Sequence, residues 1–386
     1  MDSFRLNNAY ALLAAFLSPV KGAEQIEALR QLIVKGQIVW PDLVYRANLQ
    51  LCTPLWYVQL QRDGLLQLLP QDLQEYLQQL HQANVERNAE MRHGLEELLQ
   101  AFAREDIDPL LLKGAATFCD DLYGDSGARV MGDLDILVEP TQVEQARQIL
   151  LKLGYQKIPD PGMDFDGLAT DERRHQLPRH FKPGTPVVIE IHFKISYGQS
   201  GRVLPVVTAR ENVLEIGLAR ASATLFNPTW RLLHNTVHAL LPHCEFIRGD
   251  ISLLQLAEFV QLAKRYGQQI DWDEWIALAQ AHKLTTEFSV YQQLARELMF
   301  LHSTNTELPA ISVKLHKRRI LNMGERLGVQ GKPGRSVLAT IYYYFNLPAW
   351  VWRNICYIEG SRNIPRRLIY MLKKGLSARS RAKIGM

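Results

Sequence analysis

The sequence predicts an α+β fold: a small mixed β-sheet embedded between helical N- and C-terminal domains. Three observations predict it. Apolar residues recur at helical spacing up to about residue 105, short apolar runs with strand-like alternation appear between 106 and 200, and helical periodicity returns after 201. At 386 residues the chain has room for two or three domains with real cores. The expected division is 1–105, 106–200, 201–310 and 311–386.

In the first region Leu65, Leu66, Leu68 and Leu69, then Leu73, Tyr76, Leu77 and Leu80, keep helical spacing over Gln- and Glu-rich polar faces. Pro54 and Pro70 punctuate it. The stretch Leu73 to Arg104 contains no Pro and one Gly, Gly94, and reads as one long helix. Pro109 to Leu112, the turn Lys113-Gly114 and an Ala-rich stretch to Tyr123 read as strand, turn and helix. Asp133 to Val138 is a second strand. A helix from Pro140-Thr141 stops at Gly154, and Val187 to Ile195 is a third strand after a polar loop or lid over 156–184. Helices follow at Trp230–Leu241, Ile251–Tyr266, Asp273–His282 and Thr286–Leu301.

Composition narrows the function classes. A formal charge of +4 is too small to announce a nucleic-acid binder. The charge is uneven, since Gly360 to Met386 holds eight Lys or Arg and no acid, after an aromatic cluster from Ile341 to Tyr357. That tail reads as a solvated helix, a surface for anionic lipid or a nucleic-acid contact. Because its aromatics sit in a block, the first two readings, peripheral membrane contact included, are favoured. The cysteines Cys52, Cys119, Cys244 and Cys356 form no CxxC pair, which argues against a zinc site or a disulfide framework. No apolar stretch reaches the roughly 18 residues that span a bilayer, and a cytoplasmic protein is expected. Gly331 to Ser336 lacks the spacing of a phosphate loop and reads as a basic loop.

The chemistry concentrates in the middle segment. Asp133 and Asp135 project from one face of their strand, with Leu134, Ile136 and Val138 on the other. Two such carboxylates repel and raise each other's pKa, and a divalent cation reverses that balance; oxygen ligands of this kind suit Mg²⁺. Alone, the pair also fits a solvated strand end. Glu190 and His192 share one face of the third strand, where an acid is costly unless paired, exposed or metal-bound. If the two strands are neighbours, three carboxylates converge as in a two-metal site. Lys113-Gly114 aims backbone N–H groups and a helix N-terminus at an anion, or is an ordinary turn with a solvated lysine. Arg129 is a second phosphate clamp, or pairs with Asp125 or Glu139. His234 and His238 share a helix face, but Asn235 stands where a zinc HExxH motif has Glu, so lining or packing roles are favoured. Arg248 pairs with Asp250, or Asp250 caps the next helix.

Lys-Gly, eighteen residues, then Asp-x-Asp, with Arg129 before it and Glu190-x-His192 after it, resembles the polymerase-β-like nucleotidyltransferase superfamily. More narrowly it resembles a bacterial family known only as uncharacterised nucleotidyltransferases, over about residues 45–300. The resemblance takes in Pro54-Leu-Trp and the region of His234, His238, Arg248 and Asp250. It implies that 106–200 is the catalytic domain and that Asp133, Asp135 and Glu190 bind two Mg²⁺ ions, with Mn²⁺ an alternative. Lys113, Gly114 and Arg129 would hold the triphosphate, ATP first by abundance, although Lys113-Gly114 stands where the superfamily keeps Gly-Ser. His192, His234, His238 and Arg248 are candidate substrate contacts from a helical region, 201–310, that covers the cleft. The implied reaction moves a nucleoside monophosphate to an acceptor hydroxyl on an unidentified small molecule, peptide, protein or RNA end. The rival is a non-catalytic member that binds a protein partner in a biosynthetic complex. It is favoured if Glu190 points away from Asp133.

Overall fold

Seven strands form one mixed sheet in the order β3-β4-β5-β2-β1-β7-β6. The structure, a computed structural model, describes residues 8–158, 175–218, 221–242, 245–302 and 311–326. The chain divides after Gly334, and every described residue lies before that point. The basic tail, the aromatic cluster, the loop 331–336 and most of the stretch 156–184 lie outside the described residues.

The N-terminal helices are α1 (Ala9–Leu17), α2 (Ala23–Val34), α3 (Trp40–Leu49), α4 (Thr53–Arg62) and α5 (Gln71–Ala103). The 33 residues of α5 give a rod of about 50 Å at 1.5 Å per residue, long enough to serve two cores. Its first turns (Leu73, Leu77) pack into a mainly helical core, and its last turns (Met91, Leu95, Leu98, Leu99, Phe102) pack under the sheet. Gly94 allows that descent, because a Cβ there would stand 2.9 Å from Val187 Cγ1.

The sheet is laid down by β1 (Leu110–Leu111), α6 (Lys113–Asp120), β2 (Leu134–Leu137), α7 (Val143–Lys152), β3 (Gln156–Lys157), β4 (His180–Phe181) and β5 (Val188–His192). Two short helices, α8 (Gly198–Val203) and α9 (Val206–Arg210), lead to the hairpin of β6 (Val213–Leu218) and β7 (Ala221–Phe226). A return to helix at 201 overlooks this hairpin. β7 runs parallel to β1, so it completes the half of the sheet next to α6. The helices α10 (Pro228–Leu240), α11 (Glu245–Arg248), α12 (Leu253–Tyr266), α13 (Trp272–Ala281), α14 (Thr285–Leu298) and α15 (Ile311–Arg326) follow. Ser252 caps α12, its Oγ accepting from the Gln255 N–H at 3.4 Å; Asp250 instead pairs with Arg248.

One face of the sheet is apolar. Leu134, Ile136, Ile189 and Ile191 are fully buried against α5 and α7. The pleat then forces Asp135, Glu190 and His192 onto the opposite face, the side on which Leu137 and Phe226 meet the helical core. A one-residue slip of β2 or β5 would drive carboxylates into hydrocarbon, so burial of one face sets the register of the other. Among the described residues no helix is long and apolar enough to cross a membrane.

Candidate active site

β2 and β5 are parallel neighbours, with Asp135 beside Glu190 and Leu137 beside His192. Asp133 precedes β2 by one residue on the same side as Asp135. Among the described residues, Asp135, Glu190 and His192 each offer a ligand atom within 4.8 Å of the other two. Asp133 stands outside that group, and His192, expected as a substrate contact, stands inside it. The imidazole is fully buried, with Nε2 2.9 Å from Asp135 Oδ1 and 3.5 Å from Glu190 Oε2. Oxygen and imidazole donors together accept Mn²⁺ as readily as Mg²⁺.

Lys113 reaches into the same cluster. Its Nζ lies 2.6 Å from Asp135 Oδ1, the oxygen that His192 also meets. The backbone at Lys113 is left-handed, φ +47°, a conformation uncommon for a residue with a Cβ. Gly114 has no room for a side chain, since a Cβ would meet Arg129 Nη1 at 2.4 Å and Met131 Cγ at 2.8 Å. The glycine is there for close packing against Arg129.

The electrostatics follow from this crowding. Burial alone would raise the Asp135 carboxyl, but Lys113 and His192 hold it well below the usual carboxylate range. Burial would lower Lys113, yet Asp135, with Glu190 and Asp133 behind it, raises it above an ordinary lysine. Among the described residues Asp133 has no hydrogen-bonded partner of this kind. Burial, then the charges of Asp135 and Glu190, push it up to about 6 against the opposing pull of Lys113 and Arg179. The three carboxylates meet the Lys113 ammonium, the His192 imidazole and, at Asp133, the pull of Arg179, and the ligand atoms of Asp135, Glu190 and His192 are close enough together to hold a cation.

Beside the cluster lies a cavity of about 50 Å³ lined by Lys113, Arg129, Arg231, His234, His238 and Glu258, among others. Arg129 is presented by a loop that α5 holds from below. Asn84 Nδ2 donates to the carbonyls of Gly127 (2.7 Å) and Arg129 (3.0 Å), and Asn88 Nδ2 to those of Ser126 (2.7 Å) and Arg129 (2.9 Å). Arg129 pairs with neither Asp125 nor Glu139. Its Nε donates to Glu258 Oε2 at 2.7 Å, and Tyr123 donates to the same oxygen at 3.1 Å. Arg231 pairs with Asp120, which also accepts from the Tyr266 hydroxyl at 2.6 Å. His234 and His238 line the cavity with ring centroids 6.2 Å apart, while Arg248 is exposed and does not line it.

Glu258, Arg231 and Asp120 were not singled out by motif. One signal for Glu258 is in the sequence: Leu254, Glu258 and Leu262 follow at i, i+4, so an acid interrupts the apolar stripe of a helix.

The uncharacterised nucleotidyltransferase family matches residues 36–300, a span that holds every residue of the carboxylate cluster and of the cavity. The chain belongs to this family. No curated protein matches it. Among solved structures, the crystal structure of an antigenic nucleotidyltransferase-like protein from Paracoccidioides brasiliensis is 16% identical, with a TM-score of 0.32 over 54% of this chain and 92% of that one. So loose a likeness carries no argument about this family member.

Proposed function

We propose that this nucleotidyltransferase transfers a nucleoside monophosphate from a nucleoside triphosphate, ATP first, to an acceptor hydroxyl with release of pyrophosphate. The observation that carries the reading is the β2–β5 register, which sets Asp135 beside Glu190 with the His192 imidazole in ligand reach. Asp133, Asp135 and Glu190 are the residues to hold Mg²⁺ or Mn²⁺, with His192 in the donor set. Bound there, the ions would neutralise the triphosphate and lower the cost of an attacking alkoxide.

The chain's own groups do the rest. Glu190 takes the proton of the acceptor hydroxyl, whose oxygen bonds to the α-phosphorus as the bond to the β-phosphate oxygen breaks. Lys113 and the N-terminus of α6 balance charge on the leaving pyrophosphate. Arg129, held against Glu258, supports that side of the cavity, and the helices from Pro228 to Leu298 cover the cleft. Position and charge neutralisation supply the catalysis, as in phosphoryl transfer generally.

The test is Mg²⁺-dependent pyrophosphate release from ATP in the presence of candidate sugars, peptides and RNA ends. Asp135→Asn and Glu190→Gln should each lower the rate by more than about 100-fold, beyond the roughly 10–100-fold lost with a group that only supports a ligand. Both variants must keep the wild-type circular dichroism. Turnover that survives either substitution removes this assignment. Metal binding with no turnover on any acceptor favours a binding module.

A further inference from the structure

We infer that the Lys113 ammonium is a tethered stand-in for the metal: it neutralises Asp135 while the ion is absent and is handed to the nucleotide's phosphates when the ion arrives. The inference rests on the proposed reading of Asp135 and Glu190 as metal ligands. It adds that metal and nucleotide bind with a cooperativity beyond the direct attraction of ion for phosphate, and that one side chain supplies the added part.

The argument begins with a shared atom. Lys113 Nζ and His192 Nε2 both meet Asp135 Oδ1, at 2.6 Å and 2.9 Å, in a carboxylate that is 2% exposed. A divalent ion taken up by Asp135 and Glu190 would share that carboxylate with the ammonium, and two cations on one buried carboxylate repel strongly in so dry a place. The ammonium has somewhere to go. Lys113 lines the cavity that also holds Arg129 and Arg231, and its side chain is 23% exposed, so the flexible stem is not locked by packing. Arg129 and Arg231 are committed to Glu258 and Asp120. Lys113 is the cation whose partner is itself a candidate metal ligand, and so its bond is the one that metal binding breaks.

Backbone chemistry supports a role for this side chain. At φ +47° a glycine would sit without strain. A lysine in that position carries a conformational cost, and its ammonium is bonded to the cluster.

A displaced ammonium without a new partner opposes metal binding. Phosphate oxygens in the cavity supply that partner, so each ligand strengthens the other by the same factor. The measurement is binding of Mn²⁺ to the full chain, read from the paramagnetic resonance signal of the free ion. Each titration is run with and without a non-hydrolysable ATP analogue, and the Mn²⁺ that the analogue binds in protein-free solution is measured and subtracted. For the wild type the analogue should tighten Mn²⁺ binding by about tenfold or more, within the usual range of such couplings. Lys113→Met should bind Mn²⁺ alone about tenfold tighter than the wild type, with the tightening by the analogue reduced to what direct ion–phosphate attraction supplies. Lys113→Gln is the second neutral variant should Met fail to fold, and Lys113→Arg should keep the coupling. The inference is overturned if the neutral variants bind Mn²⁺ alone no tighter than the wild type, or if they keep the full coupling. If instead the wild type binds no Mn²⁺ even with the analogue, or Asp135→Asn binds it as tightly, the metal-site reading itself fails and takes this inference with it.

Discussion

At the scale of single residues, His234 reports on the cavity. It is 6% exposed, packed edge-on against Phe226 at 5.5 Å, and burial together with the nearby Lys113 charge pushes its imidazole down to about 3. The folded state therefore keeps a neutral ring, whereas the unfolded chain takes up a proton below 6.5. Stability is lost as pH falls from that value toward 3, by roughly 1.4 kcal/mol for each pH unit. His316, pushed down to about 4 by burial and Arg319, works in the same direction. Urea unfolding at about pH 7.5 and about pH 5 should show the loss, and His234→Leu should remove about one proton from the uptake on unfolding. An unchanged slope in that variant would mean that the ring is charged in the fold. A neutral His234 can give the cavity it lines a hydrogen bond but not a charge.

At the scale of elements, α5 is both a core helix and the support of the Arg129 loop. Asn84 and Asn88 are buried on its sheet-side face, and their amides satisfy carbonyls that would otherwise be stranded. Asn88→Leu strands the Ser126 carbonyl, the Arg129 carbonyl keeping Asn84, and should cost about 1–3 kcal/mol, the penalty for a buried acceptor left unpaired. It should also weaken the thermal shift given by ATP with Mg²⁺, because the Arg129 loop loses one of its two asparagine supports. A variant that loses stability but keeps the nucleotide shift would show that the loop is anchored elsewhere. The helix itself was legible from its apolar spacing and the lack of proline. Its hold on the loop was not, because an Asn on a helix looks the same in sequence whether it meets water or a carbonyl some 40 positions away.

At the scale of the molecule, two buried ion pairs, Arg129–Glu258 and Arg231–Asp120, join the sheet region to α12 and α10. Breaking such a pair strands a charge, so Glu258→Met should cost about 3–5 kcal/mol, and Arg129→Met added to it should recover part of the loss. Strictly additive costs in a double-mutant cycle would show that the two groups do not interact. The sequence by itself determined the helices and the strands at 110–111, 134–137 and 188–192, because the periodicity of apolar residues is local. It also determined which strand faces carry Asp133, Asp135, Glu190 and His192, because strand alternation is local too. The hairpin 213–226 escaped that reading, since β6 is a sheet edge whose residues are half exposed and alternate weakly. Only the tertiary structure decided that β2 and β5 are neighbours, that His192 joins Asp135 and Glu190 within 4.8 Å, and that Arg129 meets Glu258. Those contacts join residues tens to more than a hundred positions apart. Their energies come from shared burial and paired charge, which no local pattern records.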